Sequence, residues 1–85
     1  MKTINPVTAW REDKGLSRRN TAIIAHVNYS QIAAAELGLV AKLPRLFLEV
    51  IATLDGPERV VAIERAYNEW RTAQAQTMTQ QLAHS

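Results

Sequence analysis

Two imidazoles, His26 and His84, and no cysteine make up the whole stock of nitrogen and sulfur metal ligands in these 85 residues. A disulfide framework and a thiolate metal site are therefore excluded. No serine, histidine and aspartate fall into a grouping that suggests a nucleophile with its base, and no carboxylate pair marks a pocket. The three glycines are too scattered for a phosphate loop. The chemistry on offer is binding rather than catalysis, without cofactor, metal or small-molecule ligand. Its material is cationic. Lys2, Arg11, Lys14, Arg18, Arg19, Lys42 and Arg45 stand against Glu12, Asp13 and Glu36 in the first 45 residues, whereas Arg59, Arg65 and Arg71 stand against Glu49, Asp55, Glu58, Glu64 and Glu69 in the rest. The net charge of +2 hides this asymmetry. A polyanionic partner should meet the first half.

The elements that position these charges are marked by breakers and caps. Asn5 before Pro6 is an N-cap followed by proline at the first helical position, and Gly15 closes a segment near 6–14. Ser17 caps a second, about 18–26. Asn28 with Gln31 three residues on has the form of a capping box and opens a third, from Tyr29 to about Leu37, which Gly38 ends. Pro44 starts a fourth over 44–54, whose Phe47, Val50, Ile51 and Leu54 recur at helical spacing. Asp55-Gly56-Pro57 breaks it and starts a fifth. That one carries Val60, Ile63, Tyr67 and Trp70 on one stripe and is expected to fray from about Gln76. Period-two alternation is absent, so the expected fold is all-α with five helices, one domain in size.

The informative stretch is 16–38, LSRRNTAIIAHVNYSQIAAAELG. A helix-turn-helix needs a small residue where its helices cross, an apolar turn anchor, and an apolar inner face on the second helix. Ala22, Val27, and Ile32 with Ala35 fill these roles in order. The stretch resembles the Cro/C1 repressor family of phage and plasmid helix-turn-helix proteins, also called XRE-like. Leu16, Ser17, Ala22, Val27, Ser30, Ile32, Glu36 and Gly38 fall in register with its pattern, and PRLFLEVIATL looks like its fourth helix. The resemblance covers about residues 5–54 and implies a five-helix, lambda-repressor-like DNA-binding domain. Its core would be residues 1–56, with 57–85 as a long C-terminal helix for dimerisation and a frayed tail.

The resemblance implies that the second helix of the motif enters the major groove. Tyr29, Ser30, Ala33 and Ala34 match base-facing positions, with Gln31 beside them. Alanine can meet a thymine methyl but neither donates nor accepts, so direct readout would rest on Tyr29, Ser30 and Gln31, the last able to pair with adenine. Arg18, Arg19, Asn28, Lys42 and Arg45 are the backbone candidates, the arginine at the start of the second helix and the cations around Pro44 being the best matches. Trp10 and Phe47 are expected in the core. Departures from the pattern are His26, where the family usually has glycine, Thr21 and Ala25 in place of larger apolar residues, and Ile23 and Ile24 at positions usually polar. Partial burial of these isoleucines is the expectation.

The implied function is a phage- or plasmid-type transcriptional repressor that binds a palindromic operator as a homodimer through Val60, Ile63, Tyr67 and Trp70. The longest apolar runs fall far short of the roughly 20 residues of a membrane span, and no signal-peptide core follows the N-terminus, so a soluble, cytoplasmic protein is expected. The alternative function is a degenerate helix-turn-helix that contacts a protein partner through Ile23, Ile24 and its alanine-rich helix. Two alanines at reading positions support it; the Arg18, Lys42 and Arg45 cations oppose it.

Overall fold

The computed structural model describes residues 4–83. Five helices and no strand occur among them: α1 (Pro6–Asp13), α2 (Arg18–Ala25), α3 (Tyr29–Glu36), α4 (Arg45–Asp55) and α5 (Pro57–Ala83). The caps read from the sequence account for the first four to within a residue at each end. α5 runs further than expected. It stays helical past Gln76 to Ala83, with the Thr72, Thr77 and Thr79 hydroxyls donating to carbonyls four residues back at 2.9–3.0 Å. His84 lies outside the described residues. No helix of the described residues is long and apolar enough to cross a membrane.

Three helix ends share one device. At Gly15, His26 and Gly38 the chain turns into the left-handed region, with φ of 70°, 56° and 74°. In each case the next amide, of Leu16, Val27 or Leu39, reaches back to the carbonyl of Arg11, Ala22 or Ala34 at 2.9–3.1 Å. These are Schellman closures, which satisfy carbonyls the helix leaves orphaned. His26 performs with a Cβ what glycine performs in the other two, at a cost of about 1–2 kcal/mol in the left-handed conformation. Gly38 cannot be replaced so easily, because a Cβ there would stand 2.5 Å from the Trp70 ring.

The starts of the helices are tied to distant parts of the chain. Asn5 accepts from the Val7 amide at 2.8 Å through its Oδ1, which caps α1, and its Nδ2 donates to the Ala35 and Glu36 carbonyls at 3.0 and 2.9 Å. One buried amide thus closes the beginning of α1 and the end of α3. Around it lies a single core of Val7, Trp10, Ala22, Ala25, Ile32, Ala35, Leu43, Phe47, Ile51, Ile63 and Tyr67. Trp10 and Phe47 meet edge to face, with centroids 5.5 Å apart, and each aromatic there contributes on the order of 2–3 kcal/mol through burial.

The stripe on α5 expected to join two copies faces inward. Ile63 and Tyr67 are buried, and Val60 and Trp70 pack against the same core. The Tyr67 hydroxyl donates to the Val40 carbonyl at 2.9 Å, and its ring stacks on Trp70. Ile63 and Tyr67 are therefore taken up by the chain's own core, while Val60 and Trp70 stay partly exposed at its edge. The physical reason is that α1 to α4 leave their own core open, and the first half of α5 closes it along α1 and α4. Ile23 and Ile24 also differ from expectation: they are 63% and 46% exposed, because Thr21, Ala22 and Ala25 form the buried face of α2.

Asp55 fastens the end of α4 to α1, accepting from Lys14 Nζ at 2.6 Å and Trp10 Nε1 at 2.8 Å. Lys14 first and Trp10 next hold its carboxyl below the usual range. A carboxyl depressed in the folded state contributes stability that is full above its unfolded value of about 3.9 and is lost as pH falls through the folded value. Chemical denaturation of the wild type should therefore show a stability loss beginning as pH drops below about 4–5. The Asp55→Asn difference should shrink across the same window, and a pH-independent difference would contradict the assignment. A second expectation separates the two roles of Asn5. Asn5→Asp keeps an equally good cap but removes both donors to α3, so it should destabilise by about 1–3 kcal/mol, measured by thermal or urea unfolding; a neutral result would show that the carbonyl contacts carry no weight.

Candidate nucleic-acid interface

The local chain dictates how α3 is presented. The Asn28 amide donates to Gln31 Oε1 at 2.9 Å, and the Asn28 side chain receives the Gln31 amide, which completes the capping box. This fixes the first turn of α3 while leaving Tyr29, Ser30 and Gln31 exposed. Ile32 and Ala35 are buried on the opposite side, as the spacing requires, and Ala33 and Ala34 lie at the margin, half-buried. Gln31 is thereby less free than the sequence suggested. One oxygen lone pair already serves the Asn28 amide, so a bidentate pair with adenine, which needs that oxygen as acceptor, competes with the cap.

Two cations flank this turn from different elements. Arg18, the first residue of α2, has its guanidinium raised above its ordinary ionisation range by the neighbouring Tyr29 side chain first and the charge of Glu36 next. Its Nε also donates to Glu36 Oε2 at 3.2 Å, with the side chain still 42% exposed. On the other side Lys42 shares with Ser30, Gln31, Ala34, Val40 and Pro44 a cleft of about 460 Å³. The structure thus brings together Arg18, Tyr29, Ser30, Gln31, Ala34 and Lys42 around the N-terminal half of α3.

The remaining candidates are placed less directly. Arg45 opens α4 next to Pro44, 90% exposed and 3.4 Å from Glu49 one turn on, an exposed pair of the kind that contributes about 0.3–0.5 kcal/mol and yields easily to a phosphate. Arg19 is exposed on α2 and Asn28 is committed to its cap. Arg11, which the sequence offered only as one more charge, donates twice to Glu36 at 3.0 and 3.1 Å and to the Leu16 carbonyl at 2.8 Å. Its role is internal. No cluster of three or more metal-ligating side chains forms among the described residues.

Electrostatically the turn is suited to an anion. α3 begins with free amides and the positive end of its dipole, and its first turn holds no carboxylate. Apolar residues that spacing did not flag as surface also come into view: Leu37 and Leu39, either side of Gly38, are 64% and 72% exposed. The only sequence signal for them was that large aliphatics sat beside a helix-terminating glycine. The chain matches no protein-family model, and no curated protein or solved structure is significantly similar to it.

Proposed function

We propose that the chain is a double-stranded DNA-binding protein of the helix-turn-helix kind, a phage- or plasmid-type repressor of the Cro/C1 sort that acts in the cytoplasm on a palindromic operator as a homodimer. The observation that carries this reading is the exposed first turn of α3, rigidly capped, with Arg18 on one flank and Lys42 on the other. Such a turn can lie N-terminus first in a major groove while the flanking cations and the α2 start meet phosphates on either side. Tyr29 and Ser30 would read base edges, the alanines would meet thymine methyls, and Gln31 would serve mainly as a cap. Direct readout is then modest, and the shape of the duplex supplies part of the specificity. A single module reads few base pairs, and two copies about one helical turn apart are the usual remedy.

One observation favours a protein-binding function instead. Ile23 and Ile24 are exposed, and Ile24 borders a cleft of about 360 Å³ with Leu46, Val50 and Leu54. The cleft sits on the α2–α4 side, separate from the residues that surround α3.

Duplexes selected from a random pool should contain an inverted repeat. On any duplex Lys42→Ala and Arg45→Ala should each weaken binding and make the salt slope about 1 unit shallower. Tyr29→Ala should instead reduce the preference for the selected site by about 1–3 kcal/mol. Absence of binding at low salt, or loss of affinity without change in slope, would contradict the reading.

A further inference from the structure

Between α3 and α4 the chain runs from Leu37 to Pro44 without regular structure. The segment opens with the closure at Gly38, where the Leu39 amide bonds back to the Ala34 carbonyl at 2.9 Å. Beyond it the backbone supplies no hold of its own. Among the described residues Val40, Ala41, Lys42 and Leu43 make no backbone–backbone hydrogen bond, and a segment of that kind stays in one place only if side chains fix it. Its position matters, because it carries Lys42 and leads directly into Arg45.

α5 supplies the hold. Tyr67 and Arg71 stand one turn apart on that helix, and each donates to a carbonyl of the segment: Arg71 Nε to Gly38 at 3.1 Å and the Tyr67 hydroxyl to Val40 at 2.9 Å. The segment therefore runs antiparallel to α5. Further along the same line, Ala41, Lys42 and Leu43 meet Glu64, Tyr67 and Asn68 around a cleft of about 230 Å³. The register is pinned at one end by the Trp70 ring, which lies against Gly38, and at the other by Leu43, which is buried in the core. Burial raises the Tyr67 phenol above its ordinary value even though the Arg71 charge lowers it, so the hydroxyl keeps its proton and remains a donor. On its other side Lys42 borders Ser30 and Gln31, which sets the segment between α5 and the first turn of α3.

We infer that Tyr67 and Arg71 are positioning residues for the DNA surface: through the Val40 and Gly38 carbonyls they hold Lys42 beside the first turn of α3. The inference rests on the reading of that surface as a DNA interface. Tyr67 is 1% exposed and does not itself meet a duplex. Its effect is to order the segment beforehand, which removes an ordering cost from binding. A loosened segment still carries its lysine and is still drawn to phosphate, but it must be ordered at each encounter. Loss of either bond should then weaken binding without changing the number of phosphates neutralised.

Tyr67→Phe removes one hydroxyl and no charge, and Arg71→Met removes the other donor. In the free chain each should lower the backbone amide order parameters of residues 40–43 from the rigid value of about 0.85 to below about 0.6, while α3 stays rigid. On selected and random duplexes alike each should raise the dissociation constant about 3–10-fold with the salt slope of the wild type. Lys42→Ala added to Tyr67→Phe should cost less than the product of the two single effects, since a loosened segment gains less from its lysine. Ile51→Val, a comparable loss of stability in the core, should leave the order parameters and the affinity unchanged. Order parameters that do not move in either variant, effects of Tyr67→Phe and Lys42→Ala that multiply independently, or a slope about 1 unit shallower in Arg71→Met, which would make Arg71 a phosphate contact, would each overturn the inference. A wild type that binds no duplex would overturn the DNA reading instead, an outcome told apart by the order parameters, which are measured without DNA.

Discussion

The carboxylate of Glu36 is the point on which the arrangement of the first three helices turns. Its side chain is 1% exposed and accepts from Thr8 Oγ1 at 2.8 Å, from Arg11 twice and from Arg18. Burying a carboxylate costs several kcal/mol unless its oxygens are fully bonded, and here both oxygens are. The geometry is unforgiving because removing one partner of a buried pair costs about 3–5 kcal/mol. α1, α2 and α3 are therefore locked to one another by a single side chain at the end of α3. Asn5, donating to the carbonyl of the same residue and of Ala35, doubles the lock.

This lock links packing to the proposed binding surface. Arg18 donates to Glu36 Oε2 at 3.2 Å, and the Tyr29 side chain contributes to the rise of its guanidinium pKa. The residue that anchors α2 to the end of α3 is thus also the residue that borders the start of α3. A phosphate that approached Arg18 would meet a guanidinium already oriented, with little rotamer freedom left to lose. Lys42, exposed in the segment before α4, forms no ion pair among the described residues. The two cations differ in structure: Arg18 is tied to a buried carboxylate, Lys42 is not.

How much of this was legible follows from the range of each interaction. Caps are local, so Asn5, Ser17, Asn28 and Gly38 announced the ends of helices in the chain itself, and the spacing of Ile32 and Ala35 announced the buried face of α3. Glu36 as a hub was not legible, since its partners lie 18 to 28 residues away and nothing local distinguishes it from a solvated glutamate. The burial of Ile63 and Tyr67 against the chain's own core was not legible for a related reason. Val60, Ile63, Tyr67 and Trp70 define a face, but periodicity does not say whether the face meets its own core or a second chain. The isoleucines of α2 show the same limit, because small residues at 21, 22 and 25 turned the helix so that both stay outside.

The central claim is that the first turn of α3, between Arg18 and Lys42, is where a DNA duplex docks. The most direct measurement is a titration of isotopically labelled protein with a short duplex at low salt, followed by backbone amide chemical shifts. The account predicts that the largest changes fall at residues 18, 28–33 and 42–45 and are reversed by added salt. Amides facing the α2–α4 cleft, Ile24 and Leu54 among them, should move least. Changes concentrated at that cleft, or none at any salt concentration, would contradict it.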